Sequence, residues 1–403
     1  MFVLPLLLIL TSSFLAAQQP HYDGRTKPLE YPGPGREQSE PTDLAEVRIG
    51  YFGPSNPNHP LGGDMWLAAQ LAVEEANAAG GYRRLPFRLL PAWSESPWKA
   101  GIRDVTRLVY NDKVWALIGG IDGPSTHLAE QVTTKARLAL VNPGSTDKTV
   151  NYAYVPWMFS LPPADDLQAP VLATALERQS PRRFAVISAT DHDSQLATVE
   201  FKSLLAKRGV TPFLHVQVES GSDELTQPID EIAATKPDLV LLVANPIDSA
   251  KIVRALRKAG TDARIFGSCA FGRRVFAENA GPEAEGVIFP VLGNRSAEYE
   301  QFSARFSSRF GHAPDFAATQ SYDAVRLVIE AIRAAGLNRA LIRDAIRSLS
   351  GWQGVNGKIE WNPVGQNKAP VRLGTYKDGK IALLEGTEGT EGTEGTEATL
   401  KRP

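Results

Sequence analysis

Residues 47–81 read VRIGYFGPSNPNHPLGGDMWLAAQLAVEEANAAGG. A β-rich run ends in a loop of Gly, Pro and Asn, and a helical segment follows and stops on Gly80-Gly81. That is a strand, a loop and a helix, the first half of a βαβ unit. In such a unit the loop at the strand's carboxyl end faces the crevice where ligands bind. The alternation continues down the chain. Apolar or β-branched runs at 47–52, 87–91, 114–119 and 138–142 form one set, and runs at 184–189, 213–218, 239–244, 264–267 and 287–291 a second. Helical segments at 65–79, 99–111, 125–136, 169–179, 195–208, 225–234 and 247–259 separate most of them. Strands alternating with helices predict an α/β chain with parallel sheets flanked by helices on both faces. Tyr154-Val155-Pro156-Trp157, running on to Pro163, is a Pro-bounded segment between the two sets and reads as a crossing from one half to the other.

Length and charge narrow the class. With 403 residues, 43% hydrophobic and 22% charged, the chain can fill two cores of ordinary domain size. Lys+Arg 43 against Asp+Glu 45 gives no electrostatic reason for a nucleic-acid or anionic-membrane partner. Residues 1–17 carry no charged side chain, and their apolar core is too short to span a bilayer comfortably, so they are expected to be a secretory leader. The n-region lacks Lys and Arg, and Leu15 would stand at the −3 position for cleavage after Ala17. Residues 18–45 are rich in Pro, Gly and charge without an apolar period, which predicts a flexible linker. The fourfold GTE repeat of 386–397 predicts a disordered tail through residue 403. The single cysteine, Cys269, rules out an intramolecular disulfide.

Five stretches then carry a resemblance: GGDMWLAAQLAVEEANAAGG (62–81), VWALIGG (114–120), LVNPGST (140–146), KPDLVLLVA (236–244) and FAATQSYDAVRLVIEAI (316–332). In order and spacing they resemble the periplasmic leucine/isoleucine/valine-binding family, the type I solute receptors of ABC importers. The resemblance implies two lobes joined by three hinge crossings. Residues 46–160 plus 292–350 would form lobe 1, and 161–291 plus 351–385 lobe 2, with crossings near Ser160, Val291 and Ser350. Residues 357–384 would add β-hairpin material to lobe 2, with Lys377-Asp378-Gly379-Lys380 as the turn. The implied function is capture of a small polar solute, an amino acid or related compound, by a periplasmic or secreted monomer that delivers it to ABC permease subunits. A sensory or receptor module of the same fold is the alternative.

Candidate ligand contacts lie where strands end and helices start. Asp122 and Gly123 follow the 114–119 strand; free N–H groups at a helix start attract a carboxylate, and the same residues also read as a helix cap. Asn142-Pro143-Gly144-Ser145-Thr146 resembles the family's serine-proline-alanine-alanine-threonine loop, which implies that Gly144, Ser145 and Thr146 meet the α-carboxylate and α-amine of an amino acid. Asp193 would either neutralise a ligand ammonium or cap the helix starting near Gln195. Cys269 and Ala270 occupy the second-lobe loop where amino-acid-binding members often carry an acidic residue, and none stands there. That gap, and Gly62 in the place of a bulky aromatic, predict a ligand larger or less cationic than leucine. Asp165-Asp166 read as solvated loop charge, and Trp66 as packing. No metal spacing among the six histidines, no phosphate loop and no nucleophile elbow is present, so neither a metal, a cofactor nor an enzymatic activity is expected.

Overall fold

A computed structural model describes residues 27–94, 100–293 and 296–385. The predicted leader and the GTE tail lie outside these residues. The first half runs β1 (Val47–Phe52), α1 (Gly63–Ala78), β2 (Phe87–Ala92), α2 (Ile102–Thr106), β3 (Leu117–Gly119), α3 (Gly123–Ala136), β4 (Leu140–Asn142), α4 (Thr149–Tyr152) and β5 (Met158–Ser160). The second half runs α5 (Asp165–Gln179), β6 (Phe184–Ala189), α6 (His192–Lys207), β7 (Leu214–Val218), α7 (Thr226–Ala234), β8 (Leu239–Val243), α8 (Pro246–Lys258), β9 (Arg264–Gly267), α9 (Arg274–Ala280) and β10 (Ile288–Val291). Three helices follow, α10 (Ala297–Phe310), α11 (Phe316–Ala335) and α12 (Arg339–Ser348), and then four short strands, β11 (Gln353–Gly354), β12 (Gly357–Lys358), β13 (Arg372–Lys377) and β14 (Lys380–Leu383).

Two open sheets result, ordered β2-β1-β3-β4-β5 and β14-β13-β10-β9-β8-β6-β7. The first is parallel throughout. In the second, β6 to β10 run parallel, while β13 pairs antiparallel with β10 and β14 antiparallel with β13. Every residue of β6 and β8 is buried, as a parallel strand covered on both faces requires. The two-residue turn between β13 and β14 puts Asp378 at φ 53° and Gly379 at φ 71°, the left-handed pair that matches the twist of a hairpin.

Helices α10 to α12 return to the five-stranded sheet. Phe302, Phe306, Val325, Ile329 and Ile342 share a buried cluster with Val47, Ile49 and Ala72. Val355, Ile359 and Trp361 join the same cluster, so the crossing expected near Ser350 falls beyond Trp361. Apolar contacts to α12 and Phe159 hold this stretch on the first lobe, and only β13 and β14 reach the second. The crossing strands pair with each other: Ser160 N donates to Gly365 O at 2.9 Å and Asn367 N to Ser160 O at 3.0 Å.

The segment from Lys27 to Ala45 is a strap on the first lobe rather than a free linker. Leu29 is buried, and its N–H donates to Pro363 O. Arg343 donates to Leu29 O, and the Asn338 side chain donates to the carbonyls of Gly35 and Gln38 at 2.8 and 3.0 Å. Glu40 accepts from Leu337 N at 2.8 Å. Polar side chains of α12 and its cap hold the strap by its backbone, so no apolar period announces it.

The turn joining β11 to β12 hangs on one carboxylate. Asp323 in α11 is fully buried and accepts from Val355 N (2.9 Å), Asn356 N (3.0 Å) and Asn356 Nδ2 (3.1 Å). Asp323→Ala leaves these donors without an acceptor and should cost about 2–4 kcal/mol in urea denaturation. Burial pushes the Asp323 pKa up from 3.8 to about 6 against those bonds. The folded value lies above the unfolded one, so the group's contribution is complete below the unfolded pKa and fades as pH rises through the folded one. The penalty of Asp323→Ala should therefore be larger at about pH 4 than at about pH 8.

Candidate functional site

The carboxyl ends of both sheets face one gap, and the predicted residues gather there. β3 ends at Gly119, and Asp122 caps α3: its Oδ1 accepts from Ser125 N at 2.8 Å while Ser125 Oγ accepts from Asp122 N at 3.3 Å. The next amide, Gly123 N–H, has no carbonyl to bond within the helix. It donates instead to both oxygens of Asp193, at 3.1 and 3.0 Å. Asp193 stands in the first turn of α6, on the opposite lobe. The cap of α6 is Asp191, which accepts from Ser194 N at 3.0 Å, so Asp193 is free to reach across. Burial pushes the Asp193 pKa up to about 7, reinforced by the charges of Asp122 and Asp147 and opposed by the Gly123 bond.

The loop after β4 approaches the loop before α3 and the side of α1 closely. A Cβ at Gly144 would lie 3.0 Å from Gly120 O, Ile121 Cα and Met65 Cε. The Gly144 and Ser145 amides do not face the gap: both donate to Asn142 Oδ1, at 2.9 and 2.8 Å. Ser145 is buried, and its Oγ accepts from Asp147 N at 3.1 Å. Thr146 O accepts from Asp165 N at 2.9 Å, joining the two lobes a second time. Burial raises the Asp165 pKa well above its usual range and pushes Cys269 up to about 12, so this thiol is no nucleophile. Ala270 lies in the same turn as Cys269, with its N–H directed back to Ser268 Oγ at 3.4 Å.

Ion pairs close the rim. Arg274 on α9 grips Asp64 at the start of α1 through Nε–Oδ2 (2.6 Å) and Nη2–Oδ1 (3.1 Å), and His312 meets Asp64 Oδ1 at 2.9 Å. Arg273 donates to Leu61 O, and Lys148 pairs with Glu200 on α6. Between these pairs, His127 of α3 and His192 of α6 both face Asp147. Hydrogen bonds to Asp147 and Glu130 push the His127 pKa up to about 9. Burial works against the Asp147 charge, yet bonds from His127 and Thr149 hold its pKa down at about 2.

Residues 46–380 match the sequence profile of a family described as periplasmic binding protein. The chain belongs to the periplasmic binding protein family. An amino acid binding protein of Pseudomonas aeruginosa is 27% identical over 335 residues, 81% of this chain and 88% of its own length. Among solved structures, the branched-chain amino acid transporter substrate binding protein LivJ of Streptococcus pneumoniae, in complex with isoleucine, superposes with a TM-score of 0.78 at 21% identity. The match covers 84% of this chain and 98% of that one. A solute binding protein of R. palustris in complex with benzoate matches with a TM-score of 0.76 at 17% identity, covering 84% and 95%. These likenesses establish the type I two-lobed fold. The family's members are substrate-binding proteins rather than enzymes.

Several features of this periplasmic binding protein escape its sequence. Asp165 is buried in the gap, not solvated on a loop, because α5 starts immediately behind the Thr146 loop, with Asp165 N bonded to Thr146 O at 2.9 Å. Asp165 and Asp193 thus place two carboxyl groups near the Cys269 loop, which carries none of its own. Trp66 packs on Tyr51 in the first core, as expected. Tandem spacing could not reveal His127, Asp147 and His192, since they come from three different elements. A Cβ on Gly123 would collide with Asp193 Oδ1 and lie 2.8 Å from Asp147 Oδ2. Gly123→Ala should therefore force the lobes apart, raising the radius of gyration in small-angle scattering while leaving the circular dichroism spectrum unchanged.

Proposed function

We propose that this protein captures an amino acid, or a closely related ammonium carboxylate, between its lobes in the periplasm and delivers it to an ABC permease. One observation carries the reading: a carboxylate of the protein itself, Asp193, sits on the open amide of a helix start across the gap. A ligand carboxylate fits the same amide, where helix-end N–H groups favour an anion. The displaced Asp193, with Asp122 beside it, then meets the ligand ammonium through a charge-assisted bond. Thr146 and Asp165, joined by the bond from Asp165 N to Thr146 O, offer further polar groups where the lobes meet. The Pseudomonas relative named for amino acid binding and the isoleucine-bound neighbour support this substrate class.

Ligand contacts from both lobes favour the closed form, and closure brings both lobe surfaces together for a permease to read. A monomer suffices for this task. The leader expected at residues 1–17 would place it outside the cytoplasm. A thermal-shift screen with amino acids, amides, short peptides and aromatic acids should single out an amino acid. At a hundred times its dissociation constant it should stabilise the protein by about 2.7 kcal/mol. Thr146→Ala removes one hydrogen bond to a charged ligand and should weaken that binding by about 1.5–3 kcal/mol in calorimetry. An unchanged dissociation constant would place the ligand elsewhere.

A further inference from the structure

The side chains of His127, Asp147 and His192 converge so that one ligand atom from each lies within 4.8 Å of the others. His127 belongs to α3 and Asp147 to the loop after β4, both on the first lobe, while His192 opens α6 on the second. Asp147 is fixed before any cation arrives. Its Oδ1 accepts from Thr149 N (2.8 Å) and Thr149 Oγ1 (2.7 Å), which turns Oδ2 toward both imidazoles. His127 Nε2 lies 3.3 Å from that oxygen and His192 Nε2 3.1 Å from it. The rings stand nearly perpendicular, at 85°, so both nitrogens address the same point without stacking. A tetrahedral zinc ion with bonds of about 2.0–2.1 Å sets its ligand atoms about 3.3 Å apart, and the two imidazole nitrogens lie 3.3 and 3.1 Å from Asp147 Oδ2.

A carboxylate behind the cluster is the independent sign of a built site. Glu130, one turn along α3, is only 6% exposed, and its Oε2 lies 3.5 Å from His127 Nδ1. Its Oε1 has no hydrogen-bond partner among the described residues. A carboxylate on the far nitrogen of a ligating imidazole fixes the tautomer and raises the basicity of the near nitrogen. His127 Nε2 also lies 2.8 Å from Thr149 Oγ1, whose proton is directed to Asp147. We infer that His127, Asp147 and His192 form a divalent-cation site of zinc type at the edge of the cleft, with both imidazoles bound through Nε2 and one position open to solvent. Two imidazoles and one carboxylate suit zinc over magnesium or calcium, which take oxygen ligands. Since His192 alone comes from the second lobe, a bound cation ties the lobes together and favours the closed form. This site stands apart from the solute-binding reading and does not depend on it.

Equilibrium dialysis of the full chain against zinc chloride, read by elemental analysis, tests the site. One tightly held zinc per chain is expected, undiminished by excess magnesium or calcium, with a fall in radius of gyration in small-angle scattering. His192 is exposed, so His192→Gln should fold normally and weaken zinc binding by at least about tenfold, while Glu130→Gln should weaken it about 10–100-fold. Zinc held equally well by the His192→Gln variant would overturn the site. So would the absence of any stoichiometric zinc on the unaltered chain.

Discussion

A single contact across the gap organises this molecule: the Asp193 carboxylate seated on the Gly123 amide. It links the start of one helix to the start of another on the opposite lobe. Its geometry requires glycine at position 123, because any side chain would strike both Asp193 and Asp147. It also requires Asp191 to take over the capping of α6, which frees Asp193 to leave its own helix. The carboxylate is costly to bury, as its raised pKa shows. That cost makes the contact replaceable by a ligand that brings its own negative group together with a positive one. In this structure the lobes are thus joined by a bond resembling the one that the proposed guest would make.

Everything else in the fold serves to put those two helix starts face to face. Parallel sheets send all their strand ends to one side, and ligands of open α/β sheets bind at that side. Two such sheets, turned toward each other and joined by paired crossing strands at Ser160 and Gly365, give a gap lined from both directions by helix starts and short loops. The rim pairs Arg274–Asp64 and Lys148–Glu200 add charge-assisted contacts on the two flanks. The partly exposed Lys148–Glu200 pair contributes modestly. Its value is in fixing the register of the lobes rather than in holding them.

The alternation of strands and helices and the hairpin turn at Asp378-Gly379 were legible in the sequence as local patterns of apolar spacing and turn chemistry. The return of the late helices to the first sheet was implied only by the family resemblance. The strap of residues 27–45 was not, because its partners are the side chains of Arg343 and Asn338, some 300 positions away, acting on backbone carbonyls. At the site, Asp122, Gly123, Thr146, Asp193 and Cys269 do come together. Gly144 and Ser145 turned out to have their amides occupied by Asn142, a contact that the sequence order suggests only once the turn geometry is known. The cluster around Asp147 depends on how the lobes dock, and no spacing rule along one chain encodes that.

The most direct measurement is a crystal structure of the protein soaked with the L-amino acid that stabilises it most. The ligand carboxylate should lie on the Gly123 amide, with Asp193 swung away onto the ligand ammonium. Asp193 still bonded to Gly123, with the amino acid bound outside the gap between the lobes, would contradict the exchange of carboxylates on which the proposed capture rests.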